Sequence, residues 1–189
     1  MPIENEYKFA LHDPEGKLEA TLSASDCFRV AIRQGYIRKG ARIRAWRDLQ
    51  AQTVRYIFTY KQRVDDDVIE VETDISEDDF NRLWSVREYN VTKVRFKFIV
   101  DDVTWDVDFL KDHGKTYFSL AEVELPEDER TVPMPPDLIK DYVLGSTGRH
   151  DKTLSNKRLL HIDYAKQVQA AFITGEDAVR ELVSTYQVT

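Results

Sequence analysis

The sequence predicts an α+β fold, mainly β: an antiparallel sheet that curls or closes into a barrel, with a charged interior and flanking helices. Three observations predict it. Short segments alternate charged and apolar residues at the two-residue period of a strand. Their charged faces are sorted by sign, acidic pairs on some strands and basic pairs on others. Their opposite faces carry Phe9, Tyr56, Phe58, Tyr60, Phe96, Phe98, Trp105 and Phe109, enough aromatic surface to seat helices.

The opening stretch from Ile3 to Phe9 sets Glu4, Glu6 and Lys8 on one face, against Ile3, Tyr7 and Phe9 on the other. His12 to Gly16 reads as a loop broken by Pro14 and Gly16. Ser23-Ala24-Ser25-Asp26 offers an N-cap ahead of Cys27, Phe28, Val30, Ala31 and Ile32, with Gly35 as a stop. That pattern predicts a helix over 24–34, with Cys27 as a small packed residue on it.

Tyr36-Ile37 offers the start of a strand, and 41–46 places Arg42 and Arg44 on one face. Residues 54–62 put Arg55, Ile57, Thr59 and Lys61 opposite Tyr56, Phe58 and Tyr60. Asp65-Asp66-Asp67 reads as a hairpin turn, and 68–74 returns with Glu70 and Glu72 on one face. Ser76, with Asp79 at the third helical position, caps a short amphipathic helix through Phe80, Leu83 and Trp84. Residues 91–99 set Lys93, Arg95 and Lys97 against Val94, Phe96 and Phe98. Residues 103–110 set Asp106 and Asp108 against Trp105, Val107 and Phe109, and 117–125 set Glu122 and Glu124 against Ala121, Val123 and Leu125. A Pro-rich connector from 126 to 136 leads to a short helix around 137–144, a polar loop over 145–157, and helices near 158–171 and 175–186.

The chain of 189 residues suits one domain with a good-sized core. A net charge of -7 argues against general nucleic-acid binding. Cys27 is the only cysteine, which excludes an intrachain disulfide framework and a cysteine metal site. No apolar run approaches the roughly 20 residues that span a bilayer. The expectation is a soluble cytoplasmic protein with no membrane partner, and a homodimer is compatible with it.

Charged faces turned outward into water would satisfy the same alternation, and both orientations stay open on patterning alone. Sorting by sign favours an interior, since solvated surfaces usually mix signs. Burying so many charges costs several kcal/mol per ion unless partners complete the site. Acidic pairs suit a hard cation such as Mg²⁺ or Mn²⁺, and paired Arg and Lys suit a polyanion with several terminal oxygens. Metal with basic residues around phosphate describes phosphoryl-transfer chemistry.

Glu4-x-Glu6-x-Lys8 resembles the ExExK signature of the CYTH superfamily, the triphosphate tunnel metalloenzymes. The order of later pieces resembles it as well: Gln34-Gly35-Tyr36-Ile37, Arg42-Ile43-Arg44, Lys61, and Glu70-Val71-Glu72. Thr92-Lys93-Val94-Arg95, Asp106-Val107-Asp108-Phe109, Ala121-Glu122-Val123-Glu124 and Asp151 to Lys157 follow. The resemblance implies an eight-stranded antiparallel closed barrel as a triphosphate-tunnel domain over 1–160, with 161–189 a helical extension packed on it. It implies that Lys8, Arg42, Arg44, Lys61, Lys93, Arg95 and Lys152 bind a triphosphate. It implies that Glu4, Glu6, Asp108, Glu122 and Glu124 hold Mg²⁺ or Mn²⁺, with Glu70 and Glu72 as further ligands or charge balance. The catalytic set expected is Glu4, Glu6, Lys93 and Tyr36.

Val68 stands where many members carry an arginine, and Thr153-Leu154 stands where Arg-Tyr is frequent. The activity implied is metal-dependent triphosphate hydrolysis, with inorganic triphosphate as first substrate because Glu-Asn-Glu-Tyr-Lys-Phe resembles the bacterial inorganic triphosphatase form. A class IV adenylate cyclase, a thiamine or nucleoside triphosphatase, and a non-catalytic polyphosphate or nucleotide binder are the alternatives. His12, His113, His150 and His161 show no ligand spacing, and Ser155 lacks the His/Asp context of a nucleophile.

Overall fold

The computed structural model describes residues 5–38, 40–64, 67–126, 129, 131–148 and 151–186. Glu4, the Asp65–Asp66 turn and His150 lie outside the described residues, as does the side chain of Val68. In chain order the elements are β1 (Glu6–Leu11), α1 (Lys17–Ala24), β2 (Phe28–Tyr36), β3 (Ala41–Asp48), β4 (Val54–Val64) and β5 (Asp67–Asp74). There follow α2 (Glu77–Ser85), β6 (Tyr89–Val100), β7 (Val103–Asp112) and β8 (Lys115–Glu124). A 3₁₀ turn (Lys140–Tyr142), β9 (Val143–Thr147), α3 (Asn156–Leu159), α4 (Ile162–Thr174) and α5 (Glu176–Tyr186) complete the described chain.

The strands form one nine-stranded sheet in the order β5-β4-β3-β2-β6-β7-β8-β1-β9, each neighbouring pair antiparallel. Its registers carry one face across every strand. Lys8 sits opposite Glu122, Arg95 opposite Asp108, Gln34 opposite Arg44, and Lys61 opposite Glu70. Because side chains alternate, the charged positions of all these strands fall on the same side.

The other side is apolar. Phe9, Trp105, Val107 and Phe109 pack there with Leu18 and Leu22 of α1 and with Ile139. Over β3 and β4 the cover is α2, with Phe80 against Tyr56 at 5.0 Å and against Trp84 at 5.4 Å between ring centroids. The cap read from the sequence holds α2: the Asp79 amide donates to Ser76 Oγ at 3.1 Å, and Ser76 Oγ donates to Asp79 Oδ2 at 2.7 Å.

The sheet is open, which corrects the closed eight-stranded barrel expected from the resemblance. It ends on β5 at one side and on β9 at the other, and the two do not pair. The physical reason lies in what covers the charged face near β1, β7 and β8. There the face turns apolar, through Ala10, Leu110, Phe118 and Leu120, and Leu159, Tyr164, Ala165 and Val168 of α3 and α4 pack on it. Phe172 of α4 also lies close over Gly145 of β9, where an added Cβ would come within 2.8 Å of the ring.

The segment 28–36 is strand, with Val30, Ile32 and Gln34 buried at a period of two between β3 and β6. Gly35 is therefore no helix stop; it lies inside β2, where a Cβ would meet the Trp84 ring at 3.2 Å. The helix comes earlier, as α1, where the Asp13 carboxylate accepts from the amides of Leu18 and Glu19 at 3.1 and 3.0 Å. Cys27 is buried as expected but sits between α1 and β2. The expected helix around 137–144 is a single 3₁₀ turn followed by β9. No helix among the described residues is long and apolar enough to cross a membrane.

Candidate functional site

Cross-strand pairing builds the centre of the charged face. Arg95 of β6 grips Asp108 of β7 with a fork, Nε to Oδ1 at 2.6 Å and one terminal nitrogen to Oδ2 at 2.7 Å. That same nitrogen reaches Glu122 Oε2 at 2.6 Å, while the other terminal nitrogen reaches Asp106 Oδ2 at 2.6 Å. Lys93 donates to Asp108 Oδ2 and lies 3.4 Å from Asn156 Oδ1. Lys8 Nζ joins Glu122 Oε1 at 2.5 Å and Glu6 Oε2 at 2.9 Å.

Burial and charged neighbours oppose each other here, and the balance differs from group to group. For Glu122, burial favours the neutral acid, but Lys8 and Arg95 hold the carboxyl well below its usual range. Asp108, fully buried, is likewise held down by Arg95 and Lys93 against its own desolvation. Lys8 is pulled down by burial yet raised on balance by Glu122 and Glu6. Lys93 is pulled below its ordinary value, first by burial and then by Arg95 beside it. Tyr36, at the end of β2, is pushed up to about 12, mainly by burial, and its hydroxyl accepts from Gln34 Nε2 at 2.5 Å.

A second cluster spans β3 to β5. Arg42 donates to Glu70 at 2.8 Å, and Lys61 lies 3.4 Å from the same carboxylate. Arg44 pairs with Glu72 and donates to the buried hydroxyl of Thr59 at 2.9 Å. The Nε–H groups of Arg42 and Arg44 are buried with no hydrogen-bond partner among the described residues. Burial, then the neighbouring Arg42, lowers the pKa of Arg44.

Both clusters face one cavity of about 170 Å³, lined among the described residues by Lys8, Arg42, Arg44, Lys61, Lys93 and Arg95 against Glu6 and Glu122, with Ile32, Gln34 and Asn156. It shares Glu6, Lys8, Arg42, Lys61 and Asn156 with a cavity of about 530 Å³ toward the β2–β3 turn and the loop before α3, where Lys152 sits. A further cavity of about 530 Å³ is lined by Glu6, Asp106, Glu122 and Glu124. A separate cavity of about 640 Å³ around Glu19, Lys111 and Tyr117 holds none of the site residues read from the sequence.

The basic residues expected from the resemblance thus come together around one space, with Lys152 and Tyr36 in the neighbouring cavity. The acidic residues divide. Glu6, Glu122 and Glu124 share the acidic cavity, Asp108 is enclosed by Lys93 and Arg95, and Glu70 and Glu72 pair with side chains of β3 and β4. Among the described residues no three His, Cys, Asp or Glu gather closely enough to hold a metal by themselves. The donors that are present are all carboxylates, the kind that a hard divalent cation takes.

Three residues of the site went unselected in the sequence. Asn156 bridges Lys93 and Glu122, donating to Glu122 Oε1 at 3.3 Å. Gln34 orients Tyr36, and reading 24–34 as helix hid its strand phase. Thr59 ties Arg44 to Glu72, and nothing in its polar, β-branched side chain marked it out.

No protein-family model and no curated protein matches the chain. Among solved structures it is similar to a conserved hypothetical protein from Pyrococcus furiosus at 15% identity, covering 66% of this chain and 80% of that one, with a TM-score of 0.42. A Bacillus halodurans protein described as a candidate adenylate cyclase is similar at 15% identity, 65% and 80% coverage, and a TM-score of 0.42. A Pyrococcus horikoshii protein is similar at 16% identity, 67% and 80% coverage, and a TM-score of 0.42. At that level of superposition neither fold nor function transfers to this chain.

Proposed function

We propose that the charged face of the open sheet binds a triphosphate and, with a divalent metal, hydrolyses its terminal phosphoanhydride. One observation carries the reading. Lys8, Arg42, Arg44, Lys61, Lys93 and Arg95 line one small cavity against Glu6 and Glu122, a cationic excess that suits the several terminal oxygens of a polyphosphate. The ordered motifs from Glu4 to Lys157 support the same reading through their resemblance to the CYTH superfamily.

In the mechanism, Lys8, Arg42, Arg44, Lys61, Lys93 and Arg95 take the non-bridging oxygens. Water attacks the terminal phosphorus and the bond to the bridging oxygen breaks. Orthophosphate forms and the shortened chain leaves, with Glu6 placed to take the proton of the attacking water. A Mg²⁺ or Mn²⁺ beside the phosphates, with Glu122 and Glu124 as its carboxylate donors, would acidify that water and neutralise phosphate charge. Fixed cations aimed at the developing charge typically contribute ~10²–10³ each in rate.

A second reading, binding without turnover, has one observation in its favour: Glu6, Glu70, Glu72, Asp106, Asp108 and Glu122 are each already paired with Lys or Arg. Product separation distinguishes the readings. With inorganic triphosphate, thiamine triphosphate or ATP and Mg²⁺ or Mn²⁺, the proposal expects orthophosphate. Pyrophosphate with cyclic AMP would assign a cyclase, and a raised melting temperature with intact triphosphate would assign a binder.

A further inference from the structure

The side of the sheet that faces away from the charged cavity carries cations of its own. Side chains alternate along β2, so Arg29, Ala31, Arg33 and Gly35 take the side on which α1 and α2 pack. Arg29 and Arg33 are four residues apart along the strand, about 13 Å. Arg47 of β3 lies opposite Ala31, between them. Arg87 continues the row past Arg33, since a Cβ at Gly35 would stand 3.3 Å from its Cδ. The order Arg29, Arg47, Arg33, Arg87 thus advances by two strand residues at a time, roughly 6.6 Å a step.

Every described partner of these guanidinium groups is neutral. Arg29 donates to the Ser23 carbonyl near the end of α1 at 3.0 Å, and Arg47 donates to Gln52 Oε1 at 2.8 Å. Arg87 donates to the Trp84 carbonyl at 2.6 Å and to Asn90 Oδ1 at 3.0 Å. Arg33 and Arg87 both lie over the Trp84 ring, 4.6 and 4.1 Å from its centroid. Glu77, at the head of α2, is taken up by the Tyr56 hydroxyl. Arg38, Arg42, Arg44, Arg55, Arg95 and Arg180, by contrast, each pair with Asp or Glu. The net charge of -7 describes the whole surface, and this face departs from it.

The floor between the arginines is low. Ala31, and Ala45 opposite Arg33, reach no further than Cβ. The exposed Thr92 and Asn90 of β6 stand beside Arg33 and Gly35 with hydrogen-bonding groups. α1 meets the row at Arg29 and α2 meets it at Arg33 and Arg87. A flat anionic surface such as a bilayer touches those helices first, whereas an extended chain can lie on the strands between them. A single nucleic-acid strand has that form, with one negative charge on every repeat. Each of its phosphates can accept two parallel N–H bonds from a guanidinium, and basic strips that follow the backbone are how single strands are held.

We infer that this outer strip binds the backbone of a single-stranded nucleic acid, with Arg29, Arg47, Arg33 and Arg87 on successive phosphates and Asn90 and Thr92 beside the bases. The inference is independent of the triphosphate reading, since it uses the opposite side of the sheet. Fluorescence anisotropy of a labelled oligouridylate with a 5′-hydroxyl end, titrated with the full chain over a range of salt, tests it. Binding is expected, with log K falling linearly against log[salt] by about 0.7 for each phosphate neutralised. The double variant Arg33→Gln, Arg47→Gln is expected to bind at least about tenfold more weakly and to lose about 1.4 from that slope. Arg55→Gln with Arg180→Gln makes the same change in net charge at arginines already paired with Asp74 and Glu176, and is expected to bind like the native protein. No binding, or equal weakening in both double variants, overturns the inference. Displacement by inorganic triphosphate with Mg²⁺ at constant ionic strength overturns it by placing the oligonucleotide in the cationic cavity. An oligoglutamate of equal charge that binds more tightly than the oligouridylate overturns it in favour of an acidic peptide.

Discussion

Asp108→Asn removes the charge on which the floor of the site converges. Asp108 is fully buried and accepts from Lys93 and twice from Arg95. Removing one partner of a buried ion pair costs about 3–5 kcal/mol, because the remaining charge is left without compensation. Here the loss falls at the lower end, since Arg95 keeps Asp106 and Glu122, and Lys93 keeps Asn156. In a chain of this size 1 kcal/mol moves the melting temperature by about 2–4 °C, so a cost of about 3 kcal/mol lowers it by roughly 6–12 °C. Thermal unfolding followed by far-UV circular dichroism at neutral pH measures this. Asp74→Asn, which breaks an exposed pair with Arg55, serves as the control and stays within about 0.5 kcal/mol. A fall of less than about 2 °C for Asp108→Asn would show that the network contributes nothing to the fold and refute the reasoning.

Arg44→Ala removes a charge-assisted donor and is expected to weaken binding of triphosphate by ~10–100-fold in calorimetric titration, as such contacts contribute about 1.5–3 kcal/mol. Glu6→Gln and Glu124→Gln are expected to abolish metal-dependent phosphate release while triphosphate still raises the melting temperature; release at the original rate in both variants contradicts the assignment of Glu6 and Glu124. The carboxyls of Glu122 and Asp108 are depressed below their ordinary values of 4.5 and 3.8. Their stabilisation is therefore complete above that range and lost as pH falls below it, and melting temperatures taken from pH 6 down to pH 2 should decline more steeply in the native protein than in Glu122→Gln. Ser76→Ala removes the cap of α2 and should cost about 1 kcal/mol in urea unfolding, with no change in phosphate binding.

The charged face was legible because a strand's period is fixed: once Lys93, Arg95, Asp106 and Asp108 alternate with aromatics, they must share a side wherever the strands end. The registers then place Arg95 opposite Asp108 and Lys8 opposite Glu122. Sheet closure was not legible, because it depends on what fills the far end of that face. Leu110, Phe118 and Leu120 continue the same strand phase as the charges, and only the packing of α3 and α4 shows that helices cover them. The residues 28–36 misled because Ser25 and Asp26 imitate a cap; Ser25 in fact donates back to Leu22 O at 2.8 Å and ends α1. Gln34 was lost with that strand. Asn156 was hidden for another reason, since its contacts to Lys93 and Glu122 join residues far apart in sequence.

The most direct test of the account follows inorganic triphosphate by phosphorus NMR in the presence of the protein and Mg²⁺. The account predicts that the triphosphate resonances are replaced by those of orthophosphate and pyrophosphate in equal amounts, and that chelating the metal stops the conversion. Unchanged triphosphate resonances, together with a melting temperature that neither triphosphate nor Mg²⁺ moves, would contradict it.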